Sequence, residues 1–196
     1  MFGLFSRAKN KVKNPKILIA SIGVGSKSFF AQDRDIYQSQ INNIFDDITE
    51  YEAVNIDKFW EFIEGKTFDI VHLFVNIEPD GKVESVSGRE FFEKLSASEV
   101  KTVLFASDNP ADNYIAFASK NGEGNIRSMN TVMTIERKGE AFPSFFQSLF
   151  GLMAWGRTMP MAWVELAPQN PHLKSGDNIP GAIFVAGLGS LKFVSK

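Results

Sequence analysis

Two kinds of apolar pattern alternate along the chain. Short continuous runs recur at 16–22 (Lys-Ile-Leu-Ile-Ala-Ser-Ile), 68–75 (Phe-Asp-Ile-Val-His-Leu-Phe-Val), 101–106, 128–135 and 181–186. Their length and β-branched content predict strands buried on both faces, as in a largely parallel sheet. Between them the apolar period lengthens. Ile41, Ile44, Phe45 and Ile48 stand at i, i+3, i+4 and i+7, predicting a helix over 33–48 with Asp33 or Asp35 as its N-cap. Further helices are predicted over 56–65 (Phe59, Trp60, Phe62, Ile63, with Gly65 as the stop) and 88–95. Others follow over 110–120, with Tyr114, Ile115 and Phe117 turned inward, and over 140–155 and 159–166. A short strand at 51–55 precedes the second helix. The aromatic stripe of 140–155 reads as core rather than as a cofactor site.

Strands alternating with helices place loops at the carboxyl ends of the strands, where α/β domains keep their sites. The central strand 68–75 empties there into Asn76-Ile77-Glu78-Pro79-Asp80-Gly81, and the strand 101–106 into Ser107-Asp108-Asn109-Pro110. The loop after the first strand, Gly23-Val24-Gly25-Ser26-Lys27-Ser28, invites a phosphate-loop reading. Its spacing fails, because that motif needs glycine at 21 and 26 and both are serine. A long polar loop, 167–180, carries His172. Loops of that length tend to be functional or mobile.

Composition narrows the classes. The chain has 196 residues, 44% hydrophobic, with a formal net charge of −2, which suits one globular domain and gives no basic excess for binding nucleic acid. It contains no cysteine, so thiol nucleophiles, thiolate metal sites and disulfides are excluded. With no run of about 20 apolar residues and no signal-like segment, a cytoplasmic location is the expectation. Residues 1–15 are set apart as a flexible basic arm, with Phe2, Leu4 and Phe5 ahead of Arg7, Lys9, Lys11 and Lys13. It reads as a frayed terminus in preference to a membrane contact. Residues 16–196 form a single domain.

Of the two histidines, His72 lies four residues from the end of its strand, about 13 Å from the rim at about 3.3 Å per residue, and reads as a hydrogen-bonded core residue. His172 is the other candidate base. The rim residues Asn76, Glu78, Asp80, Asp108 and Asn109 offer hard oxygen ligands to a divalent cation or a small polar ligand, although solvated acidic loops are the commoner case. No resident metal or cofactor is expected. Asn76 also stands where a receiver-like or TIR-like signalling domain, a further reading of such a sheet, would place its acceptor aspartate if it were a receiver.

Several of these patterns resemble the caspase-like CHAT domains, bacterial relatives of caspases and separase. Phe68 to Leu73 resembles that family's third strand, Asp80-Gly81 its following hairpin, and Thr102 to Ala106 its fourth strand. Val132 to Ile135 with Ala141 to Leu152, Trp155-Gly156-Arg157 and Ala162 resembles the segment where a strand meets a long aromatic helix. The resemblance runs from about Lys16 to the end. It implies an α/β three-layer sandwich with a mostly parallel six-stranded sheet, order 2-1-3-4-5-6, the last strand antiparallel and helices on both faces. The family's catalytic histidine falls on Asn76 and its glycine on Ile77. Its cysteine falls on Asp108, or on Ser107 if the register slips by one. An amide is no general base and a carboxylate does no thiol chemistry. The resemblance therefore implies a pseudoenzyme: a non-catalytic regulatory or scaffolding module that binds protein partners. The apolar C-terminus (Phe184, Leu188, Leu191, Phe193) adds an expected homodimer contact through the last strand.

Overall fold

The computed structural model describes residues 11–23, 27–39, 45–107, 109–119, 130–134, 141–166, 182–186 and 192–193. In chain order the elements are β1 (Lys11–Val12), β2 (Lys16–Ile22), α1 (Lys27–Gln38), β3 (Asp47–Ala53), α2 (Ile56–Ile63) and β4 (Ile70–Val75). A hairpin of β5 (Lys82–Val83) and β6 (Val86–Ser87) leads into α3 (Gly88–Ala97), β7 (Thr102–Phe105) and α4 (Ala111–Ser119). Then come β8 (Asn130–Thr134), α5 (Ala141–Ala154), α6 (Met159–Leu166), β9 (Ala182–Ala186) and β10 (Lys192–Phe193).

The protein is α/β, with a mostly parallel sheet flanked by helices. Hydrogen-bonded neighbours run β3-β2-β4-β7-β8-β9. Every pair is parallel except β8 with β9, which is antiparallel. All six residues of β4 are buried, as its unbroken apolar run requires. Strand periodicity divides the core in two. Leu18, Ala20, Ile22, Val71, Leu73 and Phe105 face Phe59, Phe91, Phe92, Tyr114 and Phe117 of α2, α3 and α4. On the other face Ile17, Ile19, Ile70, Phe74 and Leu104 meet Phe30, Tyr37, Phe146, Phe150 and Ala162 of α1, α5 and α6. Each such aromatic contributes about 1.5–3 kcal/mol of burial.

The largest departure from the sequence reading is at 33–48. The helix there is α1, which begins at Lys27 and ends at Gln38, and Ile48 belongs to β3. Its buried stripe is Phe30, Asp33, Ile36 and Tyr37, at i, i+3, i+6 and i+7. Asp33 is no cap. A carboxylate on the buried face broke the apolar pattern and displaced the predicted helix toward Ile41 and Ile44, which lie outside the described residues. The short strand expected at 51–55 accordingly begins earlier, at Asp47, in register with Lys16 of β2.

The boundary at residue 15 also moves. Lys11 and Val12 pair with Lys192 and Phe193 in a small parallel sheet, and Val12 is buried against the α1 and α5 side of the core. An apolar residue between lysines is what ties this part of the arm down. Ile115 is 54% exposed, because neighbours on a helix cannot share a face, while Tyr114 and Phe117 are buried. β2 and α6 have the expected bounds and the remaining elements differ by one or two residues at their ends; Gly65 follows α2 at φ 69°, a conformation suited to a glycine stop.

Candidate functional site

The rim after β4 and β7 is held together by side chains standing in for backbone. The last backbone rung is the Ala106 N–H donating to the Leu73 carbonyl at 2.9 Å. Beyond it the Ser107 hydroxyl accepts from the Val75 N–H at 2.7 Å. The Asn109 carboxamide then accepts from the Ile77 N–H at 2.8 Å and donates to the Val75 carbonyl at 2.9 Å. Those are the two bonds a parallel strand would make opposite Asn76. The Asn109 amide also bonds the Tyr114 hydroxyl at 3.1 Å, and that hydroxyl donates to the Ser107 carbonyl at 2.7 Å. Asn113 donates to the Ile77 carbonyl at 2.6 Å. The expectation that Asn109 is a rim ligand is therefore corrected. It is buried and its amide is saturated by the fold, because the chain leaves the sheet here and the freed peptide groups need partners.

The other predicted residues divide. Asn76, Glu78 and Asp80 are exposed on the same loop, and Asp80 meets the Lys82 ammonium at 2.5 Å, which raises the pKa of that lysine. Ser107 is half-buried, with its hydroxyl held by Val75. Asp108 and His172 lie outside the described residues. Among the described residues no three histidine, aspartate or glutamate side chains are grouped to hold a metal. Gly81 fixes the loop. It has φ 76°, and a Cβ there would stand 2.4 Å from the carbonyl carbon of Ala116 in α4. The hairpin tip then brings Glu84 to the start of α2, where it accepts from the Ile56 N–H at 3.0 Å beside the Asn55 cap.

Below the rim His72 is fully buried. Its Nδ1 lies 2.9 Å from the Tyr37 hydroxyl and its Nε2 2.5 Å from Asp33 Oδ2, with all three side chains excluded from solvent. Burial, reinforced by the Asp33 charge, pushes the Tyr37 phenol well above its usual value. Which of Tyr37 and Nδ1 donates follows from the imidazole tautomer, and the Asp33 carboxylate stands against Nε2 on the other side of the ring. The cluster joins a helix to the central strand within the buried layer. It fastens α1 to β4.

Sequence reasoning missed Asp33, Tyr37, Asn113 and the hydroxyl of Tyr114. A signal existed for the first two: a histidine inside a buried strand demands polar partners, and Asp33 and Tyr37 are one helical turn apart on the face that packs there.

No family model matches the chain, and no curated protein is significantly similar to it.

Proposed function

We propose that this protein is a catalytically silent, caspase-like domain that acts as a protein-binding module. One observation carries the reading: Ser107 and Asn109, on either side of the position where such a fold would hold its nucleophile, are engaged in closing the sheet. Ser107 and Asn109 satisfy Val75 and Ile77, and Asn76, at the position of the base, is an amide. The strand order, with an antiparallel last strand beside β8, supports the ancestry. Asn76, Glu78 and Asp80, exposed on a loop fixed by Gly81, form the surface offered to the partner. Self-association belongs to the same reading, through the edge strand β9.

The experiment has two arms. Incubated with peptide and casein reporters, the protein releases no product. A photo-crosslinking residue at Asn76 gives a saturable adduct with one partner, lost on Glu78→Lys while the thermal melt is unchanged. Proteolysis that disappears with Ser107→Ala or His172→Ala would overturn the proposal.

A further inference from the structure

Among the described residues the sheet has two outer strands, β9 and β3. β3 is seven residues long and pairs with β2 over its whole length in parallel register. The Gly23 N–H donates to the Ala53 carbonyl at 2.9 Å, which fixes the phase of that ladder. Successive peptide groups of a strand point to opposite sides, so Asp47, Thr49, Tyr51 and Ala53 turn theirs to β2. Those of Ile48 and Glu50 turn outward, where no strand pairs with β3 among the described residues. Apart from Ala53 the strand is half-buried or exposed, unlike the fully buried β4. It holds neither proline nor lysine, and its continuous register leaves no bulge. An edge of this length without those devices is a template for a further strand.

The two faces of β3 offer different side chains. Ile48 packs on the α1 side of the core and Glu50 meets Arg34 of α1 at 2.9 Å, so Ile48, Glu50 and Glu52 share that face. With Phe30, Ala31 and Arg34, the two glutamates line a groove of about 410 Å³ beside the edge. Arg34 is the cation of that lining, against two acids, and its pair with Glu50 is partly in solvent. On the α2 face Tyr51 stacks on Phe62 with ring centroids 3.8 Å apart, both half-buried. The Lys66 ammonium stands 3.4 Å from the Phe62 ring centroid. The α2 face therefore suits an apolar side chain and repels a cation, whereas the α1 face attracts one.

We infer that β3 receives an extended segment of a partner protein as an added strand, in which lysine or arginine alternates with apolar residues. Its basic side chains fall on the α1 face against Glu50 and Glu52, and its apolar ones on the α2 face against Tyr51 and Phe62. The peptide groups of Ile48 and Glu50 supply hydrogen bonds that any strand could use, and the alternate side chains supply the selection. A second copy of β3 is a poor occupant. Paired antiparallel about its middle residue it sets Glu50 against Glu50, and like charges directly opposite are destabilising. This edge is separate from the Asn76 loop, and its occupant is recognised by different residues.

The test is titration of the full chain with fluorescent, blocked peptides matched to the seven residues of β3. One alternates lysine with valine and the other glutamate with valine. The lysine peptide is expected to bind and the glutamate peptide not, and binding slows amide hydrogen exchange at Ile48 and Glu50. Two forms of the lysine peptide, N-methylated at alternate positions in opposite phase, carry equal charge. The form whose donors face β3 loses binding and the other keeps it. Glu50→Gln weakens binding by about two- to fivefold. Glu50→Lys with Glu52→Lys transfers the preference to the glutamate peptide, and Glu78→Lys, on the Asn76 loop, changes nothing. No binding of the lysine peptide, retention of both N-methylated forms, or unchanged exchange at Ile48 and Glu50 in the complex would overturn the inference.

Discussion

Replacing Asn109 by alanine tests whether the rim is a structural seam. The change removes the acceptor of the Ile77 N–H and the donor to the Val75 carbonyl, while Tyr114 keeps its bond to the Ser107 carbonyl. Val75 and Ile77 are 1% and 3% exposed, so water replaces the lost partners poorly. A buried peptide group left without a partner costs about 1–3 kcal/mol. Two such groups give about 2–6 kcal/mol, and about 3 kcal/mol lowers the melting temperature by about 6–12 °C in a domain of this size. Urea denaturation followed by circular dichroism measures the loss directly, with an unchanged slope as the sign that the denatured state is the same. Asn109→Asp is the sharper variant. A carboxylate accepts from Ile77 but sets negative charge against the Val75 carbonyl, so its carboxyl pKa rises in the folded state. Stability is then poor at neutral pH and improves as pH falls through that raised value, when the carboxyl becomes a donor. A residue kept for ligand binding behaves oppositely, since its removal is neutral or stabilising. An Asn109→Ala protein within about 0.5 kcal/mol of the parent would refute the seam.

Three further outcomes follow from the same geometry. His72→Leu leaves Asp33 buried without its imidazole and costs about 3–5 kcal/mol, whereas Asp33→Leu with His72→Leu recovers much of that loss; chemical denaturation of the pair measures both. Because the folded-state pKa of Tyr37 is raised above its unfolded value of 10.0, stability declines as pH rises above that value, by up to about 1.4 kcal/mol per pH unit. Tyr37→Phe removes that share of the decline, a difference readable in denaturant midpoints at about pH 9 and 11. Gly81→Ala, which adds a contact with the backbone of Ala116 to an unfavourable φ, costs about 3 kcal/mol or more, while Gly65→Ala, with nothing within 4 Å, costs about 1 kcal/mol. Equal melting temperatures for the two glycine variants would contradict this account.

The strands were legible because a parallel sheet covered on both faces leaves its signature in composition: Ile70 to Val75 needs no partner to be recognised. α6 was legible to the residue, and α2 through its aromatic stripe and Gly65. The failures have one cause, apolar periodicity interrupted by a buried polar group. Asp33 on the inner face of α1 looked like a cap because its partner, His72, is 39 positions away in the chain and adjacent only across the packed layer. The rim failed in the same way. Asn109 before Pro110 has the form of a helix start or a ligand, and only the departure of the chain from β4 shows that Val75 and Ile77 claim its amide. Side chains that satisfy backbone leave no period to find, since their partners are peptide groups common to every residue.

The two ends of the sheet consequently differ in what they leave available. At the carboxyl ends Ser107, Asn109, Asn113 and Tyr114 are bound to the backbone of β4, of its following loop or of the loop after β7, and Glu84 is bound to the start of α2. At the amino ends Lys13 and Lys16 are exposed on a cleft they share with Asp69, Glu99 and Lys101, and Trp155, just past the end of α5, is exposed as well. Polar groups saturated by their own fold gain little from a ligand, because any new bond must replace one already made. Exposed ammonium groups and an exposed indole give up only water. What the carboxyl ends leave for a partner is therefore the exposed Asn76 loop, whose Asn76 and Glu78 face solvent.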